Sequence, residues 1–306
     1  MPRALAQILF VVVPVVAAFA VLPGLYGNQL LLFNFVVYLV LAQGLNIIYG
    51  FTGYLPFGYV GFFGAGAYGF SLAVMHWHWH PIAALGLGAA AAVALGVVLT
   101  PLLRLAGAYF AIANLAASQA VHQVVSNPNL EEITRGPYEV TLSGVFAPGF
   151  AYGAALAVLA FALLVVVYLR NSRFGLALQA IRDDPISAGM AGIDVVRERT
   201  IAWLLSALVA GLIGGVFAWR ISTFYSDTVF DLGISIFAIV FTLFGGIGTL
   251  LGPIVGVIVL YGIYNAIGIT TPQYFQLIYG LLIMGLVLFL PNGLLSLLQR
   301  RGIHVP

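Results

Sequence analysis

Long apolar runs that are nearly free of charge make up most of this 306-residue chain. A run of about 20 apolar residues spans the hydrocarbon core of a bilayer as a helix. Only 7% of the residues are charged, whereas a soluble domain typically has about 25%. The runs are continuous and do not alternate with polar residues, so they do not describe a transmembrane barrel. The sequence therefore predicts an all-α integral membrane protein.

The apolar runs and their polar breaks predict about ten transmembrane helices in a single transmembrane domain covering 1–306. The first run lacks a clear small-residue cleavage site, so we interpret it as a helix and not as a signal peptide. The expected spans lie near 4–22, 29–49, 57–75, 82–100, 106–125, 151–169, 200–219, 231–246, 251–269 and 273–290.

The positions of the charges predict the orientation of the chain in the membrane. All eleven basic residues are arginine, and five of them lie in a polar loop at 170–199. If this loop is cytoplasmic, nine of the eleven arginines face the cytoplasm, as the positive-inside rule requires. Both termini are then cytoplasmic. The external side receives five carboxylates, namely Glu131, Glu132, Glu139, Asp227 and Asp231.

The loop at 170–199 contains nine of the twenty charged residues of the protein. Phe174, Leu178 and Ile181 lie on one stripe at helical spacing and predict a short amphipathic helix at the membrane surface. Asp184 followed by Pro185 predicts the start of a second helix of two turns, because Asp favours the N-cap and Pro the first helical position. Gly192 is expected just past the end of this helix.

The second helix of this loop has two interpretations. It is either part of a solvated loop whose arginines set the topology, or a site that receives force from a partner protein. In the second case the coupling residues are the apolar face and the polar start of the helix, namely Arg182, Asp183, Asp184, Pro185, Ile186, Met190 and Ile193. The chain has no lysine and therefore no phosphate-binding P-loop, so nucleotide hydrolysis would have to occur on a partner.

Polar residues inside the expected spans are candidates for a translocation pathway, because a polar side chain in hydrocarbon is costly unless it faces a partner or a wet path. The alternative role is hydrogen bonding between helices. No intramembrane acid or base pair accompanies them, which argues against a proton-coupled carrier. The candidates are Gln43, Asn46, Thr52, Asn114, Ser118 and Gln119.

Three further patterns are expected to be structural. The external loop at 126–150 is rich in proline and glycine, which predicts an irregular cap with little helix. HWHWH at 76–80 places His76 and His80 on one helical face, but interleaved Trp at the end of a span is typical of an aromatic belt, so no metal site is expected. Gly248, Gly252 and Gly256 predict close helix packing, and FGGIGT at 244–249 is a candidate helix break.

Four separated stretches resemble the LivM-type permeases of ABC importers, which take up branched-chain amino acids. The resemblance covers about 40–300, and Pro56 and Tyr59 depart from its glycine-rich signature. The stretches are GLNIIYGFTGYLPFGYVGFFGAGAY at 44–68, RLAGAYFAIANLA at 104–116, RFGLALQAIRDDPISAGMAGIDVVRERTIAWLLSALVAGLIGGVFA at 173–218 and DLGISIFAIVFTLFGGIGTLLGPIVG at 231–256.

The resemblance implies a multi-pass permease subunit in a bacterial or archaeal plasma or inner membrane. Its expected partners are a second, LivH-like permease, two ABC ATPase subunits, an external solute-binding protein and membrane lipid, with no nucleic acid. ATP and Mg would bind the ATPases, and this chain would carry no cofactor and no catalytic site of its own. The helix from Pro185 would be the coupling helix. The alternatives are an ABC permease for urea or short amides and, from another class, a secondary transporter or channel.

Overall fold

The computed structural model of the protein describes residues 2–270, 280–281 and 284–285. This part of the chain is mostly helical. The α-helices are α1 (Pro2–Gln7), α2 (Val13–Leu25), α3 (Gln29–Leu45), α4 (Val60–Trp77), α5 (Pro81–Leu99), α6 (Gly107–Val125), α7 (Glu131–Thr134), α8 (Pro148–Asn171), α9 (Arg173–Asp183), α10 (Pro185–Met190), α11 (Val195–Ile221), α12 (Ser226–Val229), α13 (Leu232–Gly245) and α14 (Leu251–Thr270). Short π-helical turns at Ile8–Val12 and Asn46–Gly50 join α1 to α2 and extend α3.

Seven helical segments of the described residues are long and apolar enough to cross a membrane. The helices expected at 57–75 and 106–125 are present as α4 and α6, but neither belongs to these seven. α4 contains several glycines and is largely buried among other helices, and α6 carries several polar side chains. The expected number of ten is thus not confirmed. The span predicted at 273–290 and Arg300 and Arg301 lie outside the described residues.

The helices run between two ends of the bundle. We call one end the arginine end. It contains 50–57, 100–106, 172–199 and 246–250, and Arg182 and Arg199 there contact Gly50 and Leu103. The other end, which we call the acidic end, contains 76–80, 126–147 and 222–231. Its segments contact one another through His76 and the Ile133 carbonyl and through His122 and Asp227. The long helices α3, α4, α5, α6, α8, α11, α13 and α14 alternate in direction between these ends.

The centre of the bundle is formed by α4, α5 and α11, which approach closely at small residues. A methyl group added at Gly66 would overlap the backbone of Gly211, and one added at Gly214 would overlap the carbonyl of Phe63. Such contacts bring two helix backbones together and increase the dispersion contacts between their side chains. Trp203 of α11 is fully buried here and donates to the Gly96 carbonyl of α5, at 2.9 Å.

α13 and α14 form a helical hairpin around the predicted FGGIGT break. A methyl group at Gly245 would overlap the Gly252 carbonyl, and one at Gly256 would overlap the Phe241 carbonyl, which confirms close packing at Gly252 and Gly256. Gly248 does not belong to this ridge. It lies in the turn between the helices with φ of +75°, a conformation that glycine adopts without strain.

The acidic end carries the cap predicted at 126–150. It contains α7, 3-10 turns at Pro128–Leu130 and Ser143–Val145, and little other helix before α8 begins at Pro148. A short antiparallel strand pair, β1 (Val140–Thr141) and β2 (Thr223–Phe224), ties this cap to the turn after α11. The strand pair is not evident from the sequence, because strands of two residues carry no measurable period.

Candidate functional site

The loop at the arginine end folds into the two helices that its sequence predicts. Ser172 caps α9 through the Gly175 amide, and α9 buries Leu178 and Ile181. The Asp184 carboxylate accepts hydrogen bonds from the Ile186 and Ser187 amides at the start of α10.

Asp184 is fixed in its charged form at the start of α10. The Ser187 hydroxyl donates to its carboxylate, and the Ile186 amide donates as well. These hydrogen bonds hold the pKa of Asp184 below its ordinary value, and the bond from Ser187 has the larger effect. The negative carboxylate also lies at the positive end of the α10 dipole.

α10 presents an apolar pair outward. Ile186 is 74% exposed and Met190 is 80% exposed, one turn apart, whereas Ala188 between them is buried. The prediction that Ile193 belongs to this face is wrong. Gly192 turns the chain with φ of +88°, and Ile193 packs against the core. The outward apolar surface therefore consists of Ile186 and Met190.

Arg182 is exposed to solvent, but its guanidinium reaches the bundle. Its Nη1 donates to the Gly50 carbonyl at 2.6 Å, across 132 positions of sequence. A methyl group at Gly248 would lie 3.1 Å from the same nitrogen, so the guanidinium sits between the break after α3 and the break after α13. Asp183 is exposed. Of the predicted coupling residues, Arg182 thus contacts the membrane domain itself.

The two helix breaks at the arginine end are joined by side-chain amides. Asn46 donates to the Thr249 carbonyl at 2.9 Å and accepts from the Gly248 amide at 2.8 Å. Gln43 donates to the Leu250 carbonyl at 2.9 Å. These bonds satisfy backbone groups that helix breaks would otherwise leave unpaired in a low-dielectric region. The break after α3 and the break after α13 therefore form one hydrogen-bonded unit.

The chain returns into the bundle between Gly53 and Tyr59 without regular structure. Buried side chains of other helices satisfy this segment and the start of α4: Asn114 accepts from the Gly58 amide at 2.8 Å, and Ser235 accepts from the Val60 amide at 2.7 Å. The Tyr59 hydroxyl donates to the Ser206 carbonyl of α11. Irregular backbone at this depth is tolerated because protein surrounds it.

Three of the predicted pathway residues carry buried polar atoms that have no hydrogen-bond partner among the described residues. They are Oε1 of Gln43, Nδ2 of Asn114 and Oγ of Ser118. Buried polar atoms are nearly always paired with protein or water, so these atoms are free to bond to water or to another polar group. The hydroxyl of Thr52 instead donates to the Ile48 carbonyl, and Gln119 is half-buried on α6.

Two cavities lie toward the acidic end. One has a volume of about 730 Å³ and is lined by residues such as His76, Glu132 and Arg135. The other, which we call the aromatic cavity, has a volume of about 370 Å³ and lies between α3, α13 and α14. Its lining among the described residues is uncharged and consists of Asn34, Val37, Tyr38, Phe63, Phe217, Thr228, Ile234, Tyr261 and Tyr264.

The histidine pattern at 76–80 does not form the expected shared helical face. α4 ends at Trp77, His78 adopts a left-handed conformation, and His80 precedes α5. His76 contacts the Ile133 carbonyl. Across the residues that the structure describes, no group of three His, Cys, Asp or Glu side chains is placed to hold a metal ion.

Several residues that the sequence did not single out help to build the site. Arg199 is 8% exposed, donates to the Leu103 carbonyl and stacks over the Tyr54 ring at 4.1 Å. Ser206 and Ser235 are fully buried and hold the re-entering segment. The two serines are isolated polar residues within apolar runs. This pattern could have identified them from the sequence.

Comparison with known proteins gives one family. A family profile described as "Branched-chain amino acid transport system / permease component" matches residues 29–288. No solved structure matches the chain.

The chain is similar to several curated permeases. It is 30% identical over 293 residues to the high-affinity branched-chain amino acid transport system permease protein LivM of Salmonella typhimurium, covering 85% of this chain and 68% of that protein. LivM of Escherichia coli matches with the same identity and coverage. The fructose import permease protein FrcC of Rhizobium meliloti is 34% identical over 143 residues, covering 44% of this chain and 39% of that protein.

Proposed function

Because the chain belongs to the family of branched-chain amino acid transport system permease components, we propose that it is the transmembrane permease subunit of an ATP-driven importer for branched-chain or related small amino acids. The proposed partners are a LivH-like permease, two ABC ATPases that bind ATP and Mg, and an external solute-binding protein. The protein itself is a multi-pass protein of the inner membrane.

The observation that carries the proposal is the construction of α10 and its neighbours. Coupling to an ATPase subunit needs an exposed contact that keeps its structure when the ATPase moves. The Asp184 cap and Pro185 fix the start of α10, and Ile186 and Met190 face outward. Two large apolar side chains on an otherwise polar surface suit insertion into a cleft of a partner protein. We therefore assign α10 as the coupling helix.

A short series of contacts connects α10 to the membrane domain. Arg182 lies two residues before the Asp184 cap, and its guanidinium bonds to Gly50 in the first helix break. Asn46 and Gln43 then join that break to the second break at 246–250. A displacement of α10 would thus move both breaks together.

The proposed pathway uses the polar atoms beside these breaks. Gln43, Asn114 and Ser118 offer hydrogen-bonding atoms that the described residues leave unpartnered, and Asn46, Thr52 and Gln119 lie on the same helices or their continuation. Such a lining binds a zwitterion weakly, because no fixed charge competes with the external binding protein.

The aromatic cavity supports a solute with an apolar side chain. Its volume of about 370 Å³ falls in the range of small-molecule sites, and its lining combines aromatic rings with a few hydroxyl and amide groups. An apolar branched side chain can pack against the rings, while an ammonium group interacts with their faces. A sugar would leave most of its hydroxyl groups unpaired in this lining.

Reconstitution of the full complex in proteoliposomes tests the function. We expect ATP-dependent uptake of leucine, isoleucine and valine when the cognate binding protein is present, with little uptake of urea, acetamide or fructose. Uptake that does not need ATP or the ATPases would identify a secondary transporter or channel. Preferential uptake of urea or acetamide would replace the amino acid assignment with an amide permease.

A further inference from the structure

A third cavity, at the arginine end, has a composition that the transport role does not account for. Its volume is about 470 Å³, and it lies between the segment at 52–57, the start of α6 and the junction of α9 and α10. Tyr54, Phe57 and Phe110 supply apolar walls, and Arg182 and Arg199 supply two positive charges. No carboxylate belongs to its lining among the described residues. We call it the arginine cavity.

The start of α6 faces this cavity without a side-chain cap. Ala106 is the N-cap residue, and its methyl group accepts no hydrogen bond, although α6 is 19 residues long. Ala106, Gly107 and Ala108 all line the cavity. The first amides of a helix have no partner within the helix, and the helix dipole adds partial positive charge there. A long uncapped helix start is therefore well suited to an anion.

The two arginines strengthen this positive environment. Arg199 is 8% exposed, and its Nε is buried and has no hydrogen-bond partner. Its Nη1 donates to the Leu103 carbonyl, and its guanidinium lies over Tyr54. Arg182 uses Nη1 on the Gly50 carbonyl. Among the described residues, neither guanidinium forms a salt bridge.

Nearby carboxylates do not neutralise these charges. Asp184 is engaged by the amides at the start of α10 and by Ser187. Asp194 accepts from the Arg197 amide at the start of α11. The buried Arg199 has no counter-ion among the described residues, which is unfavourable, and an oxyanion is the group that its planar donors match. The surplus positive charge is thus concentrated on one apolar-walled space.

We propose that the arginine cavity binds an oxyanion, a carboxylate or phosphate group, at the start of α6, with the apolar part of the ligand against Tyr54, Phe57 and Phe110. Two sources have this chemistry: the carboxylate of a released amino acid, which rests on the proposed function, and the phosphate of an anionic lipid headgroup. Pro185 also lines the cavity. An occupant therefore contacts the first residue of α10 and restrains its movement.

The test places a carboxylate on the protein where the ligand would bind. Ala106→Asp supplies a charged N-cap to α6, and Ala106→Asn supplies a neutral cap of the same shape. The complete complex, in nanodiscs of phosphatidylcholine, is titrated with inorganic phosphate at constant ionic strength, and its thermal unfolding is followed. We expect phosphate to stabilise the wild type most, to bind Ala106→Asn more weakly because its amide oxygen takes the same helix amides, and to bind Ala106→Asp at least fivefold more weakly than Ala106→Asn because the carboxylate also repels it. Equal responses in all three proteins would overturn the proposal.

Arg199→Gln and Arg197→Gln form a second pair, because Arg197 is exposed two residues away on the same helix. Phosphate affinity should fall at least fivefold only in Arg199→Gln, and an equal fall in both variants would contradict a localised site. If Arg199→Gln fails to assemble, the Ala106 pair decides. Unfolding is measured without turnover, so this result is separate from the uptake assay of the proposed function.

Competition then distinguishes the sources of the oxyanion. Phosphatidylglycerol in the nanodisc should abolish the phosphate response if the ligand is a lipid headgroup. Leucine, but not leucinamide, should compete if the ligand is the solute carboxylate. Competition by neither would identify the site as one for a free inorganic anion, and competition by leucinamide equal to that by leucine would contradict carboxylate recognition.

Discussion

The arginine end and the acidic end of the bundle use charge in opposite ways. At the arginine end, Arg182 and the buried Arg199 donate to backbone carbonyls of distant segments. At the acidic end, Glu131, Glu132 and Asp227 are exposed to solvent. A guanidinium that donates to its own backbone fixes the geometry of its own protein. An exposed carboxylate is available to a second protein. Under the proposed function, the first arrangement suits transmission of force through fixed contacts, and the second suits docking of a partner protein.

The largest expected effect comes from the exposed apolar pair on α10. Ile186→Glu combined with Met190→Glu places two charges in the proposed contact with the ATPase, where their desolvation is costly. We expect loss of ATPase stimulation by loaded binding protein, or dissociation of the ATPase, with normal membrane insertion. Val196→Glu is the matched control, because Val196 is also 74% exposed at the same end. Full stimulation of the double variant would remove α10 from the coupling role.

Arg182→Gln tests whether the hydrogen bond from Arg182 to the Gly50 carbonyl couples α10 to the membrane domain. A hydrogen bond from a charged group contributes about 1.5–3 kcal/mol, so its loss should lower leucine transported per ATP by roughly tenfold. Arg182→Lys keeps the charge but not the fork of donors, and an intermediate ratio is expected. Arg197→Gln is the control at the same end. Equal ratios for Arg182→Gln and Arg197→Gln would show that this contact does not transmit force.

The two amide substitutions separate a structural role from a pathway role. Asn46→Leu removes both hydrogen bonds to the second break and should cost about 2–3 kcal/mol of unfolding free energy. Gln119→Leu alters a half-buried residue and should cost much less. Both are expected to lower transport per ATP while binding-protein affinity and complex assembly are kept. Normal uptake in vesicles for both would limit these amides to helix packing.

At the acidic end, neutralisation should change rates more than affinity. Replacing Glu131, Glu132 and Glu139 by Gln should slow association of the solute-binding protein about threefold at low salt. Exposed charge pairs mainly affect the association rate constant. The effect should vanish at high ionic strength. Replacing only Asp227, which contacts His122 at 3.2 Å, gives a comparison within the same end. An unchanged association rate at low salt would exclude the cap from the docking surface.

The smallest effect is expected from pH at α10. A lowered Asp184 pKa means that its contribution is complete above the ordinary value of 3.8 and is lost as pH falls through the lower value of the folded protein. Amide protection of Ile186 and Ser187, corrected for intrinsic exchange, should therefore stay constant from about pH 5 to 8. Asp184→Asn should remove the acid-induced loss. A protection change near neutral pH would contradict a cap that is already charged.

The sequence predicted local structure well and distant contacts poorly. Asp184 and Pro185 determine the start of α10 through their own backbone preferences, so the helix was predictable from two neighbouring residues. The contact of Asn46 with Thr249 spans 203 positions and has no local pattern. The inward turn of Ile193 depends on the conformation of Gly192, which spacing along an assumed helix does not include.

The strand pair at the acidic end has a mechanical consequence for α11. Val140 pairs with Phe224 and Thr141 with Thr223, so the cap is hydrogen-bonded to the chain just past the last residue of α11. At the other end of the same helix, Arg199 grips Leu103 beside the arginine cavity. α11 has 27 residues and is about 40 Å long as a continuous rod. A tilt of about 5° at the cap would shift its far end by about 3 Å, so a movement of the cap would displace the arginine end through α11.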